Sequence, residues 1–353
     1  MNREKNILLT GYYNAGNIGD DLLMISSYKI LKTILPNYQI YIYTGRREPY
    51  ISTLLPEARA YNPEENNYDF IVYGGGGLFF DFKESGNIIL NNSATKKLSM
   101  FLFRNIIRKD RRKIGLSVGI GPYNAYSKQF YKDMYALAHF GFLSVRDKMS
   151  FRLAKKVNSD ALLHSDLVFN PDLNQLFNAH KPVKKYDVGI IFRDWRYGRN
   201  ELSKLIELSE YLKKHNKKTA FFSFNPANDS LGIEMLRKNN INPFLYNPNE
   251  LDGFIRHLSE TNFIISQRAH GMILANLLKI PVIGLELEPK LRNVHKMIPN
   301  TSKILSLKEI NKIPEILNRW TVLPDDFAKD HLRNVKLIKE LKKDLNNYIN
   351  EKN

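Results

Sequence analysis

Short apolar runs of strand length, each followed by a turn and then by a helix-length stretch, recur along most of this chain. That alternation restricts the fold more than any other feature. It is plainest in the C-terminal half. Phe263-Ile264-Ile265 reads as a buried strand and Ser266-Gln267-Arg268-Ala269-His270-Gly271 as a turn; a short apolar helix over 272–278 and a second strand over 281–285 follow. Continuous apolar runs mark strands covered on both faces, and strands alternating with helices indicate a mostly parallel, doubly wound sheet. Such sheets take ligands at the carboxyl ends of their strands, so the turns are where chemistry is to be sought. In this turn Arg268 is a permanent planar cation suited to phosphate or carboxylate. His270 titrates near neutrality, and the helix start behind it offers free backbone N–H groups to an anion. A helix cap and a packed histidine would account for the same pair.

From the N-terminus, Asn6-Ile7-Leu8-Leu9-Thr10 reads as a strand and residues 21–35 as a helix, joined by Gly11-Tyr12-Tyr13-Asn14-Ala15-Gly16-Asn17-Ile18-Gly19-Asp20. Three glycines there permit positive φ and close approach of a ligand to the backbone. The spacing fits neither the dinucleotide fingerprint nor the Walker loop, and Asp20 has a plainer role open to it as an N-cap. Strands at 39–43 and 70–73 come next, the second entering Gly74-Gly75-Gly76-Gly77-Leu78-Phe79-Phe80-Asp81. Four consecutive glycines lose much backbone entropy on folding, which points to a ligand or the other domain packing directly on that turn. A helix over 93–108, a strand over 113–118, the turn Gly119-Ile120-Gly121-Pro122, a helix over 127–139 and a strand over 142–145 continue the pattern. Arg146-Asp147 reads as an ion pair or helix cap. The rhythm breaks over 172–185, a linker, and restarts with a strand over 187–192 that ends on Arg193-Asp194-Trp195-Arg196. The expected domains are therefore 1–175, carrying glycine-rich turns, 183–310, carrying the Arg/His turns, and a basic helical tail over 311–353. The fold class expected is α/β, two Rossmann-like doubly wound domains facing across a cleft, as in GT-B enzymes.

Composition excludes several classes. With 353 residues, 43% hydrophobic and 25% charged, the chain has the balance of an ordinary globular protein of two domains. No run of about 18 uncharged apolar residues suggests a membrane span, and the N-terminus lacks the apolar core of a secretory signal. The absence of cysteine removes disulfides and thiol nucleophiles and fits a reducing compartment. A net charge of +17 calls for anionic partners. The basic residues are spread along the chain without a dense face or recognisable module, so nucleic acid is not the partner expected.

Gly11-Tyr12-Tyr13-x-x-Gly16-Asn17-x-Gly19-Asp20, the Gly74–77 run closing on Asp81, Gly119-x-Gly121-Pro122, Val145-Arg146-Asp147, Arg268-x-His270-Gly271 and Pro289-Lys290 follow one another in that order. The ordered set, spanning about residues 8–291, resembles the polysaccharide pyruvyl transferase family. Ala269 stands where members usually carry Leu, and Glu286-Leu287-Glu288 replaces a frequent aromatic, which bears on acceptor recognition.

The resemblance implies transfer of the pyruvyl group of phosphoenolpyruvate onto sugar hydroxyls of a surface polysaccharide or its lipid-linked precursor, as a cyclic ketal. It implies no cofactor and no metal. Arg193, Arg268 and Lys290 are the expected contacts to the donor's phosphate and carboxylate, His270 the general acid/base. Asp20 and Asp81, with Gly16, Asn17, Gly75 and Gly76, would serve the acceptor, Asp20 also as a catalytic group. Duller alternatives are that Arg193 only pairs with Asp194 and that Lys290 is a solvated lysine. A GT-B glycosyltransferase using a nucleotide sugar, with Glu286 or Glu288 on the ribose, is the competing activity; a non-catalytic basic binding protein is a third reading. The expected setting is cytoplasmic, with peripheral contact to the anionic inner membrane face through a helix over 96–108. There Leu98, Phe101, Leu102 and Ile106 would pack on the sheet while Phe103 and Ile107 stand beside the cations.

Overall fold

A computed structural model describes residues 4–13, 15–45, 50–63, 67–81, 102–123, 127–178, 182–194 and 199–351. The chain divides into two units: unit 1 holds 1–14, 22–170 and 334–353, and unit 2 holds 15–21 and 171–333. Each is a parallel sheet with helices.

Unit 1 contains β1 (Asn6–Thr10), β2 (Gln39–Tyr43), β3 (Arg59–Ala60), β4 (Phe70–Asp81), β5 (Asp110–Tyr123), β6 (Phe140–Val145) and β7 (Leu162–Leu163). They are ordered 3-2-1-4-5-6-7, every neighbour parallel. Unit 2 contains β8 (Tyr186–Phe192), β9 (Thr219–Ser223), β10 (Phe244–Leu245), β11 (Thr261–Ser266), β12 (Val282–Glu286) and β13 (Ser302–Ser306). Their order, 10-9-8-11-12-13, is again all parallel. Counted within each unit, both sheets run 3-2-1-4-5-6, with β7 added beside the sixth strand in unit 1, the doubly wound order expected. The reversal falls between β1 and β4 in unit 1 and between β8 and β11 in unit 2. Apolar runs made these strands because both faces are covered: Ile190, Phe192, Ile265, Ile283 and Leu285 are buried on one face, and Ile191, Ile264 and Val282 on the other.

Two expected turns are strand. Gly74–77 lies within β4, where Gly74 pairs with Leu116, Gly76 with Val118 and Gly77 with Gly119; the turn expected at 119–122 lies within β5. Glycines lack the side-chain pattern that marks a strand, yet their backbone still carries the ladder. What packs on them is the unit's own side chains. A Cβ on Gly74 would lie 2.4 Å from Tyr13 Oη, and one on Gly75, already at φ +53°, would lie 2.8 Å from Leu23 Cδ2. The Tyr13 hydroxyl donates to Gly74 O at 2.5 Å.

Of the helix expected over 93–108, residues 93–101 lie outside the described residues, and 102–106 are helical. Its faces are the reverse of those expected. Phe103 and Ile107 pack against the core of unit 1, Phe103 with its ring 5.7 Å from Tyr135, whereas Leu102 and Ile106 are 39% and 71% exposed. An aromatic ring in helix Lys128–Ala138 holds the Phe103 side, a contact that local periodicity does not reveal.

The last helix, Pro324–Asn350, carries Val335, Ile338, Leu341, Leu345 and Ile349 buried at helical spacing. Its residues from 334 onward pack with unit 1. Tyr348 donates to Arg111 O at 2.9 Å, and Asp344 lies 3.1 Å from Nε2 of the buried His164. Nδ1 of that histidine bonds Ser144 Oγ at 2.8 Å.

Candidate active site

In unit 2 the strand ends around the β8/β11 reversal carry the polar side chains. Arg193 follows β8, Asn225 and Asp229 follow β9, Gln267 and Arg268 follow β11, and Glu288 and Lys290 follow β12. Ser266 shapes the β11 turn: its hydroxyl donates to Arg268 O at 2.8 Å and accepts from Arg268 N–H at 3.1 Å. Arg268 thereby becomes the residue before helix Ala269–Leu277, with His270 in the first turn.

Each arginine is held by a carboxylate. Arg268, whose side chain is 12% exposed, donates from Nη2 to Oδ1 of the fully buried Asp229 at 2.5 Å. Its Nε donates to Phe192 O at 3.2 Å. Burial pushes the Arg268 guanidinium below its ordinary value; Asp229 opposes that, Arg193 adds to it and Asp20 opposes it. Arginine's very high starting value keeps the group charged. Asp229 also accepts from Asp194 N–H at 3.0 Å and from Ser223 Oγ–H at 2.7 Å. Arg193 donates from Nη1 to Glu288 Oε1 at 2.6 Å, and its backbone N–H donates to Gln267 Oε1 at 2.9 Å. Its carboxylate partner is thus Glu288 and not the adjacent Asp194, which instead accepts from Gly232 N–H at 2.9 Å. Glu286 pairs with Arg292 at 2.6 Å. Lys290 opens helix Lys290–Met297 and is half-buried.

Residues 15–21 belong to this same unit. Ile18 N–H donates to Phe224 O at 3.2 Å, and the buried Asp21 accepts from Tyr246 Oη–H at 2.8 Å. Asn17 holds the cap position of helix Ile18–Ile34, its Oδ1 accepting from Gly19 N–H at 3.2 Å, so Asp20 is not the cap. Asp20 instead sits in the first turn, accepting from Asn17 Nδ2 at 2.8 Å, and its charge is felt at Arg268. Gly19 lies against the imidazole, where a Cβ would be 2.1 Å from His270 Nδ1. Gly16, at φ +62°, makes the bend before Asn17. Of the residues expected in the site, Gly16, Asn17, Asp20, Arg193, Arg268, Lys290 and His270 are all in unit 2. Asp229 and Gln267 were not anticipated.

Gly75, Gly76 and Asp81 belong to unit 1. Asp81 closes β4 and accepts from Ser127 Oγ–H at 2.6 Å. Beside it Tyr123 donates to Asp133 at 2.7 Å. Burial, then Asp133, pushes the Tyr123 phenol well above its ordinary value, and burial likewise raises Asp133. Arg146 and Asp147 are structural: Arg146 pairs with the buried Asp166 at 2.7 Å, and Asp147 caps helix Lys148–Ala154 through Ser150 N–H. Among the described residues no group of three or more His, Asp or Glu side chains could hold a metal ion.

Two parallel-sheet units of Rossmann-like order, with a polar, arginine-bearing edge on the second, define a mixed α/β protein of GT-B-like class. Solved structures agree. The chain is similar to UDP-GlcNAc 2-epimerase from Neisseria meningitidis bound to UDP-GlcNAc, at TM-score 0.56 and 15% identity over 98% of this chain and 100% of that one. The corresponding structure from Rickettsia bellii gives TM-score 0.56 and 12% identity over 99% and 98%. The Methanocaldococcus jannaschii enzyme in complex with UDP-GlcNAc and UDP gives 0.53 and 12% over 95% and 99%. At such identities the likeness is one of fold alone. No curated protein matches the sequence. The model of the polysaccharide pyruvyl transferase family matches residues 17–289, and the chain belongs to that family.

Proposed function

We propose that the chain transfers the pyruvyl group of phosphoenolpyruvate to two hydroxyls of one sugar, in a cell-surface polysaccharide or its lipid-linked precursor, and closes a pyruvate ketal. Beyond family membership, the supporting observation is the convergence of Arg193, Arg268, His270 and Asp20 on one sheet edge of unit 2. Phosphoenolpyruvate presents a phosphate and a carboxylate, and guanidinium donors match both. Arg193 and Lys290 take the anionic groups in this reading, with Arg268 set by Asp229 to offer its remaining N–H donors. Protonation of the methylene carbon from His270 gives C2 oxocarbenium character. A sugar hydroxyl adds there and surrenders its proton; the C2–O bond to phosphate breaks, phosphate departs, and a second hydroxyl closes the ring. Asp20 is assigned to receive a hydroxyl proton. The scheme calls for no cofactor.

The test is phosphate release from phosphoenolpyruvate in the presence of lipid-linked glycans, with mass spectrometry of the glycan. Phosphate release coupled to a pyruvate adduct is expected. Transfer of a sugar from a nucleotide sugar, with phosphoenolpyruvate left intact, would overturn it.

The same reading puts the enzyme in the cytoplasm, with peripheral contact to the anionic inner membrane face. No helix among the described residues is long and apolar enough to cross a membrane. Exposed Leu102 and Ile106 beside Arg104 and Arg108 are the residues assigned to that contact, each nearby cation contributing about 1 kcal/mol at an anionic surface. Co-sedimentation with anionic vesicles at low salt, lost at high salt and in Ile106→Glu, is the expected result.

A further inference from the structure

Among the buried polar atoms at this edge, Nε2 of Gln267 and Oε2 of Glu288 have no hydrogen-bond partner among the described residues. Both are on side chains that grip Arg193. Gln267 is 1% exposed. Its Oε1 accepts from Arg193 N–H at 2.9 Å, and its own backbone N–H donates to Ile191 O at 2.9 Å. The first bond settles which way the amide points, since only the oxygen accepts from an N–H. The NH2 end therefore faces away from the Arg193 backbone. Glu288, 9% exposed, uses Oε1 for the Arg193 guanidinium at 2.6 Å and keeps Oε2 over. Buried donors and acceptors left unmade are rare in native proteins, because the hydrogen bonds to water lost on burial are not replaced.

We propose that Gln267 is a ligand-binding residue whose Nε2–H donates to an oxygen of an oxyanion held by Arg193. The inference rests on the reading of unit 2 as the donor side. An oxyanion is the group that fits: the amide and the guanidinium both donate, and Arg268 is close enough for its charge and that of Arg193 to oppose each other. Negative charge brought between them relieves that repulsion, which a neutral hydroxyl does not. The oxyanion is either the phosphoryl or the carboxylate end of the donor, and separate probes distinguish the two.

The experiment is calorimetry of the full chain with inorganic phosphate and, separately, with pyruvate. It compares the unchanged protein with Gln267→Met, which lacks both the donor and the oxygen for Arg193, Gln267→Glu, which keeps the oxygen for Arg193 but replaces the donor with a carboxylate oxygen, and Arg193→Met. Circular dichroism and thermal melting establish that each is folded. Expected is a loss of about tenfold in Gln267→Met and about a hundredfold in Gln267→Glu, the range of one charged hydrogen bond. Loss for phosphate alone assigns the phosphoryl group, and loss for pyruvate alone the carboxylate. Unchanged affinity in both folded Gln267 variants, with binding weakened in Arg193→Met, overturns the role of Gln267 and leaves the donor-site reading standing. If the unchanged protein binds neither these anions nor phosphoenolpyruvate, both fall. A variant-free measurement guards against misfolding. The chain has four glutamines, so selective 15N labelling gives four side-chain amide signals, and the Gln267 signal should move on saturation with the bound anion. A signal that stays in place overturns the proposal.

Discussion

Arg193 and Arg268 both sit beside a carboxylate, yet their removal should read differently. Asp229 is fully buried and anchors three donors, so Arg268→Met strands a buried charge, a loss of about 3–5 kcal/mol. Urea unfolding should show it, and Asp229→Leu added to Arg268→Met should recover part of it. Arg193 is 23% exposed, and its partner Glu288, with its side chain 10% exposed, is buried but less completely than Asp229. Arg193→Met should therefore cost less stability in urea unfolding than Arg268→Met, because Glu288 is less completely buried than Asp229, while phosphoenolpyruvate binding weakens by about 1.5–3 kcal/mol. His270→Ala should lower kcat by about 10²–10⁴-fold with donor affinity little changed. Gly19→Ala drives a methyl into the imidazole, and should cut kcat in the same sense by displacing the ring. Full turnover in Gly19→Ala would mean that the position of the His270 ring is immaterial. These positions were unequally legible. Arg193, Arg268 and His270 are polar residues directly after apolar strands, a local signal. Asp229 lies six residues past β9 and reads as a helix cap; its contacts to Arg268 and Asp194 span 39 and 35 residues and leave no local trace.

At the level of elements, legibility followed burial. Strands covered on both faces announced themselves, as β1, β2, β8, β9 and β11 did. The glycine part of β4 and the two-residue β3 did not. The long last helix contributes through its stripe, each fully buried Leu or Ile being worth about 1.5–3 kcal/mol, and through His164. Burial pushes His164 below its ordinary 6.5, while Asp344 and then Glu340 pull upward. The unfolded chain thus takes up a proton near pH 6.5 that the folded chain resists. Stability from this residue is full above that pH and is lost as the pH falls through it toward the folded value. His295 and His331 are lowered by burial too. The melting temperature should accordingly fall between pH 7.5 and 5.5, and His164→Gln should make the decline shallower; an unchanged slope would show that His164 takes no part in it.

For the molecule as a whole, the division of the chain into segments matters more than the count of units. Unit 1 is assembled from three stretches and receives its last, 334–353, only after all of 171–333. A fragment of residues 1–170 lacks the helix that covers Phe142 and His164, and should melt well below the same fragment supplied with a 334–353 peptide. Equal melting would show that the last helix is dispensable. On a ribosome adding about 5–20 residues per second, the first sheet is therefore synthesised and then waits, roughly 8–30 seconds at those rates, for its covering helix. During that interval its incomplete apolar face is the surface a chaperone would meet.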